Sequence, residues 1–296
     1  MYESWWKLSA TPFQNAADAQ WYFESAAHEE ASARLMFVIE RQRRCGVVWG
    51  SAGCGKSTML AMLARQLQRT QRELALIDAT SLTGTDLLWQ TAVALDRNPS
   101  PDERPRELWQ AIADHLHGLR FAGIQTIMLI DHLERAGRGF DESLVRLIEL
   151  EAAAIPWLTV IVAVRPSAGR RLPGRLAEFC DLRIELRPLD RPETAEYVRT
   201  ALRRAGCRRD LFTADALARL HERTEGVPRA INRVCELALL AGMGENAETI
   251  SERLIDAVAE ELEWPQTTDW NSDRQNSMQS RAVSARSGAA RPGSVY

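Results

Sequence analysis

The sequence predicts an α/β domain, a parallel sheet with helices on both faces, followed by a small all-α domain. Three observations predict it. Short runs of apolar, often β-branched residues recur without polar alternation, as strands buried on both faces require. These runs alternate with stretches of helical spacing as far as residue 189, the order of a doubly wound fold. From Asp190 onward the strands stop and only helical spacing continues.

The first helix reads from Glu29 to Arg43, with Ala31, Leu35, Phe37 and Val38 as its apolar face. Cys45 to Trp49 is a strand, followed by a glycine-rich turn and a helix from Ser57 to Arg69. Leu74 to Asp78 reads as the next strand, then helices over 85–95 and 106–119. Thr126 to Asp131 is a fully apolar strand closed by its aspartate, 142–153 a helix, Leu158 to Val164 a second buried strand, and Leu182 to Leu186 the last. Helices are expected at 192–205, 214–223, 229–241 and 251–262, punctuated by Gly206 and Gly226 as helix ends commonly are. The expected units are therefore an aromatic segment and first helix (1–44) packed on the α/β domain (45–189), a helical domain (190–264) and a polar, disordered tail (265–296). The aromatic opening, with Trp5, Trp6, Phe13 and Trp21, is expected to pack across the α/β domain.

Composition narrows the function classes. The 296 residues are 45% apolar and 26% charged, enough for a sizeable core. A net charge of -3 argues against a protein that blankets nucleic acid. The five cysteines are scattered and form no C-x-x-C pair, which favours reduced thiols in a cytoplasmic setting over a disulfide framework. The N-terminus has no basic stretch leading into an apolar one, so no signal peptide is expected. The longest apolar run, about 152–164, is broken by Pro156 and falls short of the ~20 residues of a membrane span.

Chemistry concentrates in one loop. Gly50-Ser51-Ala52-Gly53-Cys54-Gly55-Lys56-Ser57 matches G-x-x-x-x-G-K-[ST] between an apolar strand and a helix, the setting in which that pattern cradles the phosphates of ATP. The glycines let successive N–H groups face an anion, and the following helix, with Thr58 in its first turn, adds its positive end. Lys56 reaches the β and γ phosphates, and the Ser57 hydroxyl ligates Mg²⁺. Asp131 supplies a second magnesium ligand from the carboxyl edge of its strand, where ligands of open α/β sheets sit. His132 follows. It either positions water or acts as a base, or it only fills space; Leu133 and Glu134 come next. Cys54 reads as an inert loop residue. Arg203, Arg204, Arg208 and Arg209 form a small basic patch.

Phosphate loop, aspartate strand and trailing helices together resemble the AAA+ ATPases of the P-loop NTPase superfamily, and more narrowly the ExeA-like, general secretion pathway A type. The resemblance also runs through Leu8-Ser9-Ala10-Thr11-Pro12-Phe13, Trp21-Tyr22-Phe23, Ser25 and His28-Glu29. Further on it takes in Leu186-Arg187-Pro188-Leu189, Glu193-Thr194-Ala195-Glu196-Tyr197, Leu211-Phe212-Thr213 with Ala216-Leu217, and Gly226-Val227-Pro228-Arg229-Ala230-Ile231-Asn232. It implies that the helical domain is a lid and that Arg229 is the sensor-2 arginine, leaning over the nucleotide. Arg233 is either its helper or a solvated charge. The family usually writes Asp-Glu where this chain has Asp131-His132, and Arg165 stands at the sensor-1 position. An arginine finger given between subunits falls in the region of Arg171 and Arg175, with Arg175 as the choice.

The function expected is an ATPase that binds and hydrolyses Mg-ATP to remodel or assemble a protein partner, working as a homo-oligomer. Two alternatives stand beside it. One is an ATP-dependent switch with little turnover, favoured by His132 in place of Glu. The other is a DNA-associated regulator of the transposition type, which the slightly acidic charge does not favour.

Overall fold

The structure, a computed structural model, describes residues 2–14, 23–150, 156–165, 172 and 174–262. The expected polar tail, Trp21 and Arg171 lie outside the described residues. Five strands, β1 (Cys45–Trp49), β2 (Glu73–Asp78), β3 (Thr126–Asp131), β4 (Leu158–Val164) and β5 (Cys180–Glu185), form one parallel sheet in the order β2-β3-β4-β1-β5. Helices α2 (Ala26–Glu40), α3 (Lys56–Leu67), α4 (Gly84–Ala94), α5 (Pro105–Phe121), α6 (Phe140–Leu150) and α7 (Gly174–Glu178) accompany it, after a short N-terminal α1 (Tyr2–Trp6). The helical domain comprises α8 (Arg191–Arg204), α9 (Ala214–Thr224), α10 (Pro228–Gly244) and α11 (Glu252–Glu261).

Two-sided burial explains the unbroken apolar strands. Along β3, Met128 and Ile130 point into a core shared with Leu87, Leu108, Ile112 and Leu144 of α4, α5 and α6. Ile127 and Leu129, one residue out of phase, face Leu35, Val38, Met59 and Leu63 of α2 and α3. All seven residues of β4 are buried. With every strand parallel, the ends of β1, β2, β3 and β4 open on one edge, which gathers the phosphate loop, Asp78, Asp131 and Arg165.

Two expectations need correction. Phe37, counted on the inner face of the first helix, is 49% exposed, because that face is taken by Ala31, Leu35, Val38 and Ile39. Trp6 and Phe13 of the aromatic opening do not pack across the α/β domain. Tyr2, Trp6, Leu8 and Phe13 are buried in the core of the helical domain, among Leu202, Leu211, Leu217, Ile231 and Leu239. The Trp6 indole N–H donates to the Leu239 carbonyl at 2.8 Å, and Phe13 meets Phe212 edge to face at 6.4 Å. Asn232 adds a polar anchor: its amide donates to the Gln14 carbonyl at 3.0 Å and accepts from the Tyr197 hydroxyl at 2.7 Å. These groups explain why aromatic residues at the start and polar residues near the end of the described chain belong to one hydrophobic unit.

Truncating Trp6, 1% exposed, is expected to destabilise the helical domain strongly. Trp6→Ala should cost about 3–5 kcal/mol, read as a lower denaturant midpoint by circular dichroism. Melting at the wild-type midpoint would show that α1 is dispensable to that core.

Candidate functional site

The loop between β1 and α3 is anchored where it leaves β1, before any ligand is considered. Gly50 N–H donates to the Val164 carbonyl at 3.3 Å, and Leu186 N–H donates to the Trp49 carbonyl at 2.7 Å. A β-carbon at Gly50 would lie 2.7 Å from the Leu186 carbonyl oxygen, so only glycine fits there. Gly53 and Gly55 have φ of 84° and 93°, a region glycine enters without steric cost, and Gly55 caps α3. Such backbone turns N–H groups toward one point, and the N-terminus of α3 adds its dipole there.

Lys56 is buried to 8% exposure. Its ammonium donates to the carbonyls of Gly50 at 2.8 Å and Ser51 at 3.0 Å. Burial lowers its pKa below the ordinary lysine value, opposed by Cys54, Glu134 and Asp131 and reinforced by Arg165. The thiol of Cys54 is buried, with its sulfur 2.8 Å from the Ser51 hydroxyl, and burial pushes its pKa up. A buried protonated thiol is a poor nucleophile, in keeping with an inert place in the loop.

Asp131 ends β3 in register with Asp78 of β2. The His132 N–H donates to Asp131 at 2.8 Å, and His132 takes a left-handed φ of 54°. Its ring Nδ1 lies 3.2 Å from the nearer Asp78 carboxylate oxygen and 3.6 Å from Asp131 Oδ2. A 3₁₀ turn, Leu133–Arg135, follows, and Glu134 accepts there through Oε2 from the Arg165 backbone N–H at 3.0 Å. Ser57 and Asp131 offer one hydroxyl and one carboxylate oxygen. That hard-oxygen set, completed by phosphate oxygens and water, fits Mg²⁺. No cluster of three or more His, Cys, Asp or Glu able to hold a metal by itself occurs among the described residues.

The helical domain reaches the loop through α10. Arg229 N–H donates to the Gly53 carbonyl at 3.3 Å, and a β-carbon on Gly53 would lie 2.7 Å from that of Arg229. Arg229 thus stands at the loop with its side chain exposed. Arg175 is elsewhere, on α7, ion-paired with Glu149 of α6. The basic patch borders a cavity of about 510 Å³ in the helical domain, lined by Arg199, Arg203, Arg208 and Arg209 and away from the phosphate loop.

Residues 39–172 match a family model described as an AAA domain. The chain is 31% identical over 266 residues to General secretion pathway protein A of Aeromonas hydrophila, over 88% of this chain and 48% of that protein. It therefore spans about half the length of that curated relative. Residues 39–172 thus form an AAA domain, and the chain has the fold of the AAA+ P-loop proteins. Solved structures of the same fold include Cdc6p from Pyrobaculum aerophilum, at TM-score 0.63 and 13% identity over 81% of this chain and 67% of that one. Drosophila ORC bound to DNA aligns at TM-score 0.67 and 18% identity, over 87% and 67%. Thermotoga maritima RuvB, a Holliday junction branch migration motor, aligns at 0.52 and 18%, over 79% and 67%. At these identities the likeness is one of fold.

Two groups near the loop carried little signal in the sequence. Glu134 lies beyond the position where a carboxylate is sought. His28 entered only among the residues that carry the family resemblance. It is buried, its Nδ1 lies 2.8 Å from the Ser25 hydroxyl, and a β-carbon on Gly55 would lie 3.0 Å from its Nε2. The imidazole forms part of the floor under the phosphate loop. No helix among the described residues is long and apolar enough to cross a membrane.

Burial lowers the His28 pKa from 6.5 to about 4. The unfolded chain then takes up this proton first, so the stabilisation is complete above pH 6.5 and is lost as pH falls toward 4. The loss should be on the order of 3 kcal/mol at its full extent. Denaturant melts across that window should show the slope in wild type and a flatter profile in His28→Asn; equal slopes would show that His28 titrates normally.

Proposed function

We propose that this AAA+ chain binds Mg-ATP in the phosphate loop and hydrolyses it to drive movement of the helical lid, remodelling or assembling a protein partner. One observation carries the reading: the start of α10 sits directly on the loop, with Arg229 N–H bonded to the Gly53 carbonyl. A phosphate held by the loop lies within the domain of influence of the lid helix, and an exposed arginine there can pair with a γ phosphate and release it after hydrolysis. Lys56 would neutralise charge on the β and γ phosphates. Ser57 and Asp131 would hold the magnesium, which polarises the phosphoryl group when bound. Gly50, Ser51, Ala52, Cys54, Gly55 and Thr58 complete the cradle with backbone and helix N–H groups.

Assembly as a homo-oligomer in the cytoplasm, with Arg175 completing a neighbour's site, belongs to the same proposal. Arg175 is 67% exposed and one ion pair holds it on the surface, a placement compatible with reaching across a subunit boundary. A place in general secretion rests on the relative in Aeromonas hydrophila alone. The second reading, an ATP-dependent switch with little turnover, draws on His132, whose ring is engaged by Asp78 and Asp131.

Steady-state phosphate release with Mg-ATP, over a range of protein concentrations, separates the two. Specific activity should rise with concentration and vanish in Lys56→Ala, which should also lose ATP binding. Tight binding with no release from wild type would leave the switch.

A further inference from the structure

Hydrolysis needs a group that orients the attacking water and accepts its proton as the phosphoryl group transfers. The residue after Asp131 is the first place to look, and His132 occupies it. The geometry turns His132 away. β3 lies between β2 and β4, and the phosphate-loop strand β1 lies on the far side of β4. The left-handed backbone at His132 sends its ring toward β2, where Nδ1 approaches Asp78 at 3.2 Å.

Glu134 leans the other way. The 3₁₀ turn brings its carboxylate across to the end of β4, where Oε2 accepts from Arg165 N–H at 3.0 Å. That is the side of β3 on which the loop and Lys56 lie. Glu134 is also half-buried, so it is positioned by the fold rather than by solvent.

We infer that Glu134, and not His132, is the carboxylate that orients the attacking water and takes its proton. The inference rests on the hydrolysis reading above. In the step it serves, the water oxygen bonds to the γ phosphorus as the bond to the β–γ bridging oxygen breaks. The electron pair of that bond leaves with ADP. The water proton passes to the Glu134 carboxylate and from there to the released phosphate or to solvent, restoring the carboxylate. Asp131 would hold the magnesium, so the two acids have separate tasks.

The test compares wild type, Glu134→Gln and His132→Ala in three measurements. These are phosphate release, affinity for a fluorescent ATP analogue in Mg²⁺, and the nucleotide recovered from protein passed through a desalting column. Gln keeps a side-chain oxygen for the Arg165 N–H, so the turn should survive. Glu134→Gln should lose about 10²–10⁴-fold in turnover, the range a positioned general base supplies. Its affinity should stay within threefold (roughly RT ln 3, about 0.6 kcal/mol), and it should retain ATP where wild type retains ADP. The loss should exceed that of His132→Ala at least tenfold. Glu134→Gln with near wild-type turnover, or a larger loss in His132→Ala, overturns the inference. So does a parallel loss of affinity and turnover, which would make Glu134 a support for Lys56 or Arg165. If wild type binds ATP but releases no phosphate, the hydrolysis reading itself fails and takes this assignment with it.

Discussion

The close approach of α10 to the phosphate loop governs how the two domains relate. At Gly53 the carbonyl accepts from Arg229, and the space where a side chain would stand is filled by the Arg229 β-carbon and by Val227. A second close contact lies one turn of chain earlier. Gly226 takes φ 71°, its carbonyl accepts from Leu189 N–H at 2.9 Å, and a β-carbon there would stand 1.8 Å from the Leu189 carbonyl. Backbone packed on backbone has little room to adjust. The helical domain is therefore registered against the loop at Gly53, Gly226 fixes the start of α10 on Leu189, and the arginine between these contacts inherits its position.

Beneath that seam, the parallel sheet does the gathering. Four strand ends open on one edge, and each ends in or leads to a polar group: the phosphate loop, Asp78, Asp131 and Arg165. Buried charges need partners. Lys56 finds them in loop carbonyls, with Glu134 and Asp131 close enough to favour its charge. His28 solves the same problem by staying neutral, in contact with Ser25. The site is thus an arrangement of charge on the edge of a buried sheet, and its precision comes from the strands, whose central members are buried on both faces.

Much of this was legible in the residues. β3 and β4 match their expected limits because runs such as Ile127-Met128-Leu129-Ile130 have no polar face to offer water. The phosphate loop was legible because each glycine answers a local backbone need. The short elements were not: α1, α7 and the 3₁₀ turn hold too few residues for periodicity to speak. The aromatic opening was misplaced because burial of Trp6 and Phe13 can be inferred locally, while the choice of core depends on chain more than two hundred residues away. His28 and Glu134 were overlooked for a related reason. What each one does is decided by neighbours from another element, Gly55 in one case and Arg165 in the other.

The Trp6 indole bonds a carbonyl 233 residues further along the chain. Every strand of the sheet lies between those two partners. On the ribosome, α1 is made before any strand, yet the surface it must cover does not exist until α10 has emerged. The α/β domain can close while its companion is still incomplete, since domains generally fold as units during synthesis. Until then an aromatic segment without its pocket is exposed to the cell, so a segment made before every strand is among the last to be protected.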